Sequence, residues 1–227
     1  DSEDEGAVVT RIKQHVLRAH AMDKIEMLAR ILQAEGRGPT MVFCRTKRTC
    51  QKTAEDLMER GFRAAPIHGD LGQSAREKAL GDFKAGKSDV LVATDVAARG
   101  IDIDGITHVI NYQCPEDEKT YVHRIGRTAR AGAHGIAVTF VDWDELARWK
   151  MINQVLDLGL AEPEETYSSS PHLYEVLDIP AGSTGRLTKS KPVVQQKAVT
   201  EKRVEKKAES KPKIERTRTR TKKFKES

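Results

Sequence analysis

Val90-Leu91-Val92-Ala93-Thr94-Asp95-Val96-Ala97-Ala98-Arg99-Gly100-Ile101-Asp102-Ile103 decides the fold. Four apolar residues run without a break. The chain then turns at once to small, polar and charged residues and a glycine. A short apolar run bounded in this way reads as a strand buried on both faces. The same form recurs on either side of it. Met41-Val42-Phe43-Cys44, Ala64 to Ile67, His108-Val109-Ile110-Asn111 and Ile136 to Val141 read as further strands. Helices fall between them. Ile25, Leu28, Ala29 and Leu32 follow Asp23 as N-cap, Lys47 to Arg60 is closed by Gly61, and Ser74 to Ala85 is closed by Gly86. Glu116 to Ile125 and Asp144 to Leu158 complete the set. Thr10 to Met22 mixes β-branched and polar residues and reads as an edge strand. Strands alternating with helices predict an α/β fold, a parallel sheet with helices on both faces. Ligands on such sheets sit beyond the carboxyl ends of the strands. The loops at those ends are Arg45-Thr46, His68-Gly69-Asp70 and Thr94-Asp95.

Charge is unevenly spread over the 227 residues, whose net is +5. From Arg186 to Ser227 there are 16 Lys and Arg against 5 Asp and Glu, while the other 185 residues carry 23 against 29. The basicity therefore belongs to a tail, and an acidic body with a basic arm suits a polyanion partner. A merely solvated tail is the plainer alternative. Residues 1–8 read as a flexible segment and 9–160 as the folded domain. Residues 161–187 keep Leu173, Tyr174, Val176, Leu177 and Ile179, which could pack onto the body as a partly ordered extension. Residues 188–227 lack the apolar content to offset chain entropy and read as a largely disordered basic tail.

Cys44, Cys50 and Cys114 form neither a disulfide framework nor a zinc quartet, so a reducing, cytoplasmic setting is expected. No apolar run approaches the ~20 residues that span a bilayer, so no membrane partner is expected. The acidic start lacks a signal-peptide pattern and an initiator Met, as in a piece of a longer chain.

One match to a phosphate-binding loop fails on context. Gly81-Asp82-Phe83-Lys84-Ala85-Gly86-Lys87-Ser88 fits the pattern, but a helix precedes it and a strand comes after it. The chemistry needs the reverse order, so that loop amides and a helix N-terminus converge on phosphate. The stretch reads as a helix end.

His123-Arg124-Ile125-Gly126-Arg127-Thr128-Ala129-Arg130 places three arginines at intervals of three. Guanidinium forks suit phosphate oxygens, although a surface salt-bridge cluster would look the same. With this stretch in view, the chain from roughly Val9 to Leu158 resembles the second RecA-like domain of DEAD-box RNA helicases. The matching segments stand in the family's order: Val42 to Thr46, Ile67 to Leu71 with Gln73 and Arg76, Ala93 to Ile103, and His123 to Arg130. Bacterial members with long basic tails are most similar.

The resemblance implies a RecA-like sheet and a role for each matched residue. Arg127 and Arg130 match arginine fingers that reach the γ-phosphate of ATP held by the other domain. Gly100 and Asp102 match a ribose contact. His123 and Arg124 match residues that couple to the partner lobe. Thr46, Gly69, Gln73, Arg76 and Thr94 match RNA-backbone contacts, which read little sequence. Plainer roles stay open: His68 capping a strand, Gln73 as an ordinary first helical residue, Trp143 and Trp149 as core or partly covered surface. Tyr112 should pack beneath the loop before Pro115. Ala129 stands where the family commonly has Gly. On a helical backbone its methyl would be harmless or mildly favourable, with the fingers unmoved.

ATP and Mg²⁺ are the implied cofactors, held mainly by an N-terminal RecA-like domain of the same protein, and no metal ligand is expected in this chain. RNA and that domain are the implied partners. The fragment alone is expected to lack ATPase activity. A nonenzymatic RNA-binding module and a DNA-directed helicase domain of the same superfamily are the alternatives.

Overall fold

The computed structural model describes residues 10–130 and 134–187. The expectations for residues 1–8 and for the tail, 188–227, lie outside them.

Seven strands form one parallel sheet in the order β3-β4-β2-β5-β6-β1-β7. They are β1 (Ile12–Ala19), β2 (Thr40–Phe43), β3 (Ala64–Ile67), β4 (Val90–Ala93), β5 (His108–Asn111), β6 (Gly135–Val141) and β7 (Glu164–Thr166). The helices are α1 (Lys24–Ile31), α2 (Lys47–Glu59), α3 (Gln73–Lys84), α4 (Asp95–Ala98), α5 (Glu118–Ile125), α6 (Leu146–Leu156) and α7 (Pro171–Val176), with a 3₁₀ turn at Trp143–Glu145.

Strand alternation sorts the apolar residues between the two faces. Val42, Val92, Ile110 and Phe140 pack against α1, α2 and α7. Met41, Leu91 and Val109 face Phe83 of α3 and the loop Ile101 to Ile106. Ile12, Val16, Ala137 and Val141 face Tyr121 of α5 and Trp149 of α6. Each central strand is thus covered twice, which is why β4 and the middles of β2 and β5 are apolar.

The first strand corrects the edge reading. β1 lies inside the sheet, paired with β6 from Ile12↔Gly135 to Arg18↔Val141 and with β7 on its other side. Lys13, Gln14, His15 and Arg18 gave it a polar look, but Ile12, Val16, Leu17 and Ala19 are all buried. Gln14 accepts from the Tyr121 hydroxyl, so its polar end is satisfied inside. The true edge there is the three-residue β7. At the other edge β3 carries Pro66, which has no N–H to leave unpaired.

Other expectations meet mixed outcomes. Gly81 to Lys84 is wound into α3 and Gly86 turns the chain at φ 72°, so the loop-like match is a helix end. Asp23 precedes α1 without capping it through its side chain; its carboxylate accepts from the amide (2.6 Å) and hydroxyl (2.7 Å) of Ser168. Trp149 is wholly buried, with Nε1 donating to Leu160 O at 2.7 Å. Trp143 is exposed and lies against His20, the rings tilted by 33° with centres 4.1 Å apart. Tyr112 packs edge-on to Phe140 in the core.

Residues 161–187 are laced to the body. Leu173, Leu177 and Ile179 join the core with Tyr174 beside them, whereas Val176 is exposed. Buried Arg60 donates to Gly185 O (3.2 Å) and to Glu26 (2.5 Å), which also accepts from Arg30 at 2.7 Å. Arg30 in turn donates to the Tyr174 hydroxyl at 3.0 Å. The hydrogen bond from Arg60 holds the Glu26 carboxyl at about 2, well below its ordinary 4.5. A depressed carboxylate pKa adds stability above the unfolded value, and that stability is lost as pH falls toward the folded one. Glu26→Gln should therefore cost on the order of 1–2 kcal/mol at neutral pH, discounted for partial exposure, with the deficit shrinking between pH 5 and 2. Urea unfolding across that pH range measures it; a constant deficit would contradict the linkage.

Candidate nucleotide and nucleic-acid interface

The carboxyl ends of β4, β2 and β5 lie side by side, and one part-buried ion pair ties α4, after β4, to α5, after β5. Thr94 leads from β4 into α4, with Asp95 as its first residue. Arg124, near the end of α5, is 2% exposed. Its Nε and Nη2 each reach a different oxygen of Asp95 at 2.7 Å. Nη1 donates to Asn111 Oδ1 (3.2 Å) and Gln113 O (3.1 Å), and the Phe43 ring lies 5.4 Å beneath the guanidinium. Asn111 is itself oriented by donating to Thr139 Oγ1 at 3.0 Å. Every side of the buried charge meets a partner, the condition under which such a charge is tolerated.

α5 ends at Gly126, and the chain beyond is pinned from below. Thr128 is buried, donates to Ile106 O at 2.5 Å and occupies the space where a Cβ on Gly135 would stand. Arg127 is half-buried and donates to Ile101 O and to Ala98 O (3.2 Å). Burial pulls its guanidinium below the usual arginine range, Arg130 adds to this, and Asp102 opposes both. Arg130 pairs with the Asp102 carboxylate. Gly100, at φ 73°, allows the reversal that presents these acceptors. His123 is exposed and, with Asp95, Arg99 and Arg127, lines a cleft of about 120 Å³.

The structure therefore brings Gly100, Asp102, Arg127 and Arg130 together, with His123 at the cleft. Arg124 is turned inward and spends its donors within the domain.

The second group of sequence-derived residues occupies the ends of β2, β3 and β4. Thr46 is exposed and caps α2, accepting from Thr49 N at 3.1 Å. Gly69 is exposed, and an added Cβ there would only touch Lys47 Cδ at 3.7 Å. Gln73 opens α3, paired with Glu77 at 2.9 Å, and Arg76 stands one turn on. Thr94 is 7% exposed, so most of its surface is covered. His68 is buried, 2.7 Å from Gln51 Oε1, and its Nδ1 accepts from Asp70 N at 3.3 Å. Hence Nε2 carries the proton.

Phe43, Asn111 and Gln113 were missed as members of the site; polar residues at a strand end were the only hint. Asp95 stood in the quoted stretch without a role. A hollow of about 640 Å³ lies at the opposite rim among Arg11, Lys13, His108 and His134, away from every residue that the sequence assigns to the site. Burial, with Arg37 nearby, pushes His108 down to about 4, so it is neutral there near pH 7. Among the described residues no group of three or more His, Cys, Asp or Glu converges to hold a metal.

Comparisons agree with this layout. The profile of the helicase conserved C-terminal domain matches residues 23–132. The ATP-dependent RNA helicase CshA of Limosilactobacillus reuteri is 48% identical over 155 residues, 67% of this chain and 31% of that protein. The DEAD-box ATP-dependent RNA helicase CshA of Bacillus subtilis is 48% identical over 146 residues, 64% of this chain and 30% of that protein. The chain thus spans about a third of the length of the curated relatives it matches. The structure of the C-terminal domain of the DEAD-box protein Dbp5 superposes with a TM-score of 0.65 at 31% identity, covering 74% of this chain and 97% of that one. The E. coli DEAD-box protein SrmB, solved bound to regulator of ribonuclease activity A, gives 0.63 at 31%, covering 71% and 92%.

The helical backbone on which Ala129 would be harmless is not what the structure has: its φ is 56°, in the left-handed region, where a Cβ costs roughly 1–2 kcal/mol. Ala129→Gly should therefore stabilise the domain by about 0.5–1 kcal/mol, the relief less the added unfolded-state entropy. Urea midpoints of the two proteins decide it, since an Ala→Gly loss of about 1 kcal/mol is what a helical position would give.

Proposed function

The chain belongs to the DEAD-box family and is the helicase C-terminal domain of such a protein; from that premise we propose that, within a longer protein, it completes an ATP-hydrolysing cleft and grips an RNA backbone for local duplex opening. The observation that carries this reading is the convergence of Arg127 and Arg130 with Gly100 and Asp102, joined through Arg124–Asp95 to the strand end that bears Thr94.

The residues present fit a nucleoside triphosphate shared with a second domain. Two permanently charged guanidiniums stand by an exposed carboxylate, which suits phosphate oxygens at one end and a ribose hydroxyl at the other. ATP, bound with Mg²⁺ mainly by the N-terminal RecA-like domain, supplies the phosphoanhydride whose terminal phosphoryl group passes to water. Arg127 and Arg130 stabilise charge developing on that group, an effect worth on the order of 10³–10⁵ in rate. Asp102 orients the sugar and His123 meets the facing domain. Arg124 keeps the finger segment in register from within.

Thr46, Gly69, Gln73, Arg76 and Thr94 hold phosphate and sugar without reading bases. Domain closure around both ligands bends the strand and pries a short duplex apart. The basic tail tethers RNA without sequence preference. The three cysteines, all free and buried with thiols pushed up to about 12, suit the cytoplasmic setting proposed for the protein.

Two variants of the longer protein test this together. Arg127→Ala should lower RNA-stimulated ATP turnover at least a thousandfold with RNA affinity retained. Deleting the residues after Leu187 should do the opposite, lowering RNA affinity and flattening its salt dependence while turnover at saturating RNA persists. The 227-residue chain alone should show no RNA-stimulated turnover. Equal loss of both activities in Arg127→Ala, or turnover by the chain alone, contradicts the reading.

A further inference from the structure

The two finger arginines do not stand free. Arg127 gives its donors to the carbonyls of Ala98 and Ile101. Arg130 donates to the Asp102 carboxylate, with Nε 3.4 Å from Gly126 O. Three of these acceptors belong to one short segment, 98–102, reversed at Gly100.

The two attachments differ in kind. Arg127 is held by neutral carbonyls on a half-buried path, which fix its direction, and Asp102 acts on its charge without a direct hydrogen bond. Arg130 is held by a full negative charge. That carboxylate is open to water, its side chain 83% exposed against 34% for Arg130. An ion pair so exposed is weak and exchangeable. A phosphate approaching Arg130 meets Asp102 first as a competitor and as a repelling charge. A sugar hydroxyl meets the same carboxylate as an acceptor.

Resting on the reading of Arg130 as a phosphate ligand, we infer that Asp102 is a resident counter-ion that masks Arg130 from phosphate. Engagement of Asp102 by the sugar end of a nucleoside polyphosphate unmasks the guanidinium for the other end. A bare polyphosphate has no hydroxyl to offer and must displace Asp102 unaided. Asp102 is then a positioning residue as well as a sugar contact, and the site favours nucleotides over free polyphosphate.

The test uses inorganic tripolyphosphate and the 227-residue chain, followed by calorimetry and by the guanidinium NMR signals of Arg130. Asp102→Asn should shift those signals without ligand and tighten tripolyphosphate binding about threefold to fivefold, the scale of an exposed ion pair. In an Arg130→Ala background the same change should tighten binding by less than about 1.5-fold, because only general charge repulsion is relieved. An equal gain in both backgrounds, or unmoved Arg130 signals, overturns the masking. Arg130→Ala alone separates the two failures. If it weakens tripolyphosphate binding while Asp102→Asn has no effect, only the mask is lost; if it changes nothing, the phosphate role of Arg130 falls with it.

Discussion

The pair of buried Arg124 and half-buried Asp95 is the constraint on which the site depends. Arg124 sits on α5, a few residues before Arg127 and Arg130. Asp95 opens α4, directly after Thr94 and five residues before Gly100. A bidentate contact at 2.7 Å on both arms fixes the two segments to each other. Its cost is desolvation of a charge, and Asn111, Gln113 and Phe43 are arranged to offset it. Removing Asp95 leaves the Arg124 charge buried and uncompensated, whereas removing Arg124 leaves a carboxylate that water still reaches, so the first loss is the more costly.

The layout of the site grows from that joint. One side leads along β4's end to Thr94 and, across neighbouring strands, to Thr46 and Gly69. The other leads through Gly126 and the buried Thr128 to Arg127 and Arg130. Thr46, Gly69 and Thr94 on one side and Arg127 and Arg130 on the other thereby stand along one rim of the sheet.

The apolar strands were legible because burial on both faces leaves no polar position to confuse the period. β1 was misplaced for the converse reason: Gln14 and its neighbours are polar residues satisfied inside the structure, and sequence cannot show a partner such as Tyr121. β7 was invisible because three residues of Glu-Glu-Thr carry no strand signal and pair only by proximity to β1. The finger segment was recognised from its arginines, yet equal charges hid unequal roles. Arg124 is consumed internally while Arg127 and Arg130 reach the rim, a difference set by one helical turn and by acceptors distant in sequence. Ala129 looked harmless because composition says nothing of φ. The phosphate-loop pattern at Gly81 to Ser88 is legible as a helix end, since element order, unlike side-chain contact, can be read directly.

A double-mutant cycle on Arg124→Met and Asp95→Ala, with stability measured by urea unfolding, bears most directly on this account. If the pair joins the two halves of the rim, the single changes will be strongly non-additive, with a coupling of about 2 kcal/mol or more and the larger single loss at Asp95, which strands the buried charge. Losses that simply add, to within about 0.5 kcal/mol, would show that the segments are held by something else.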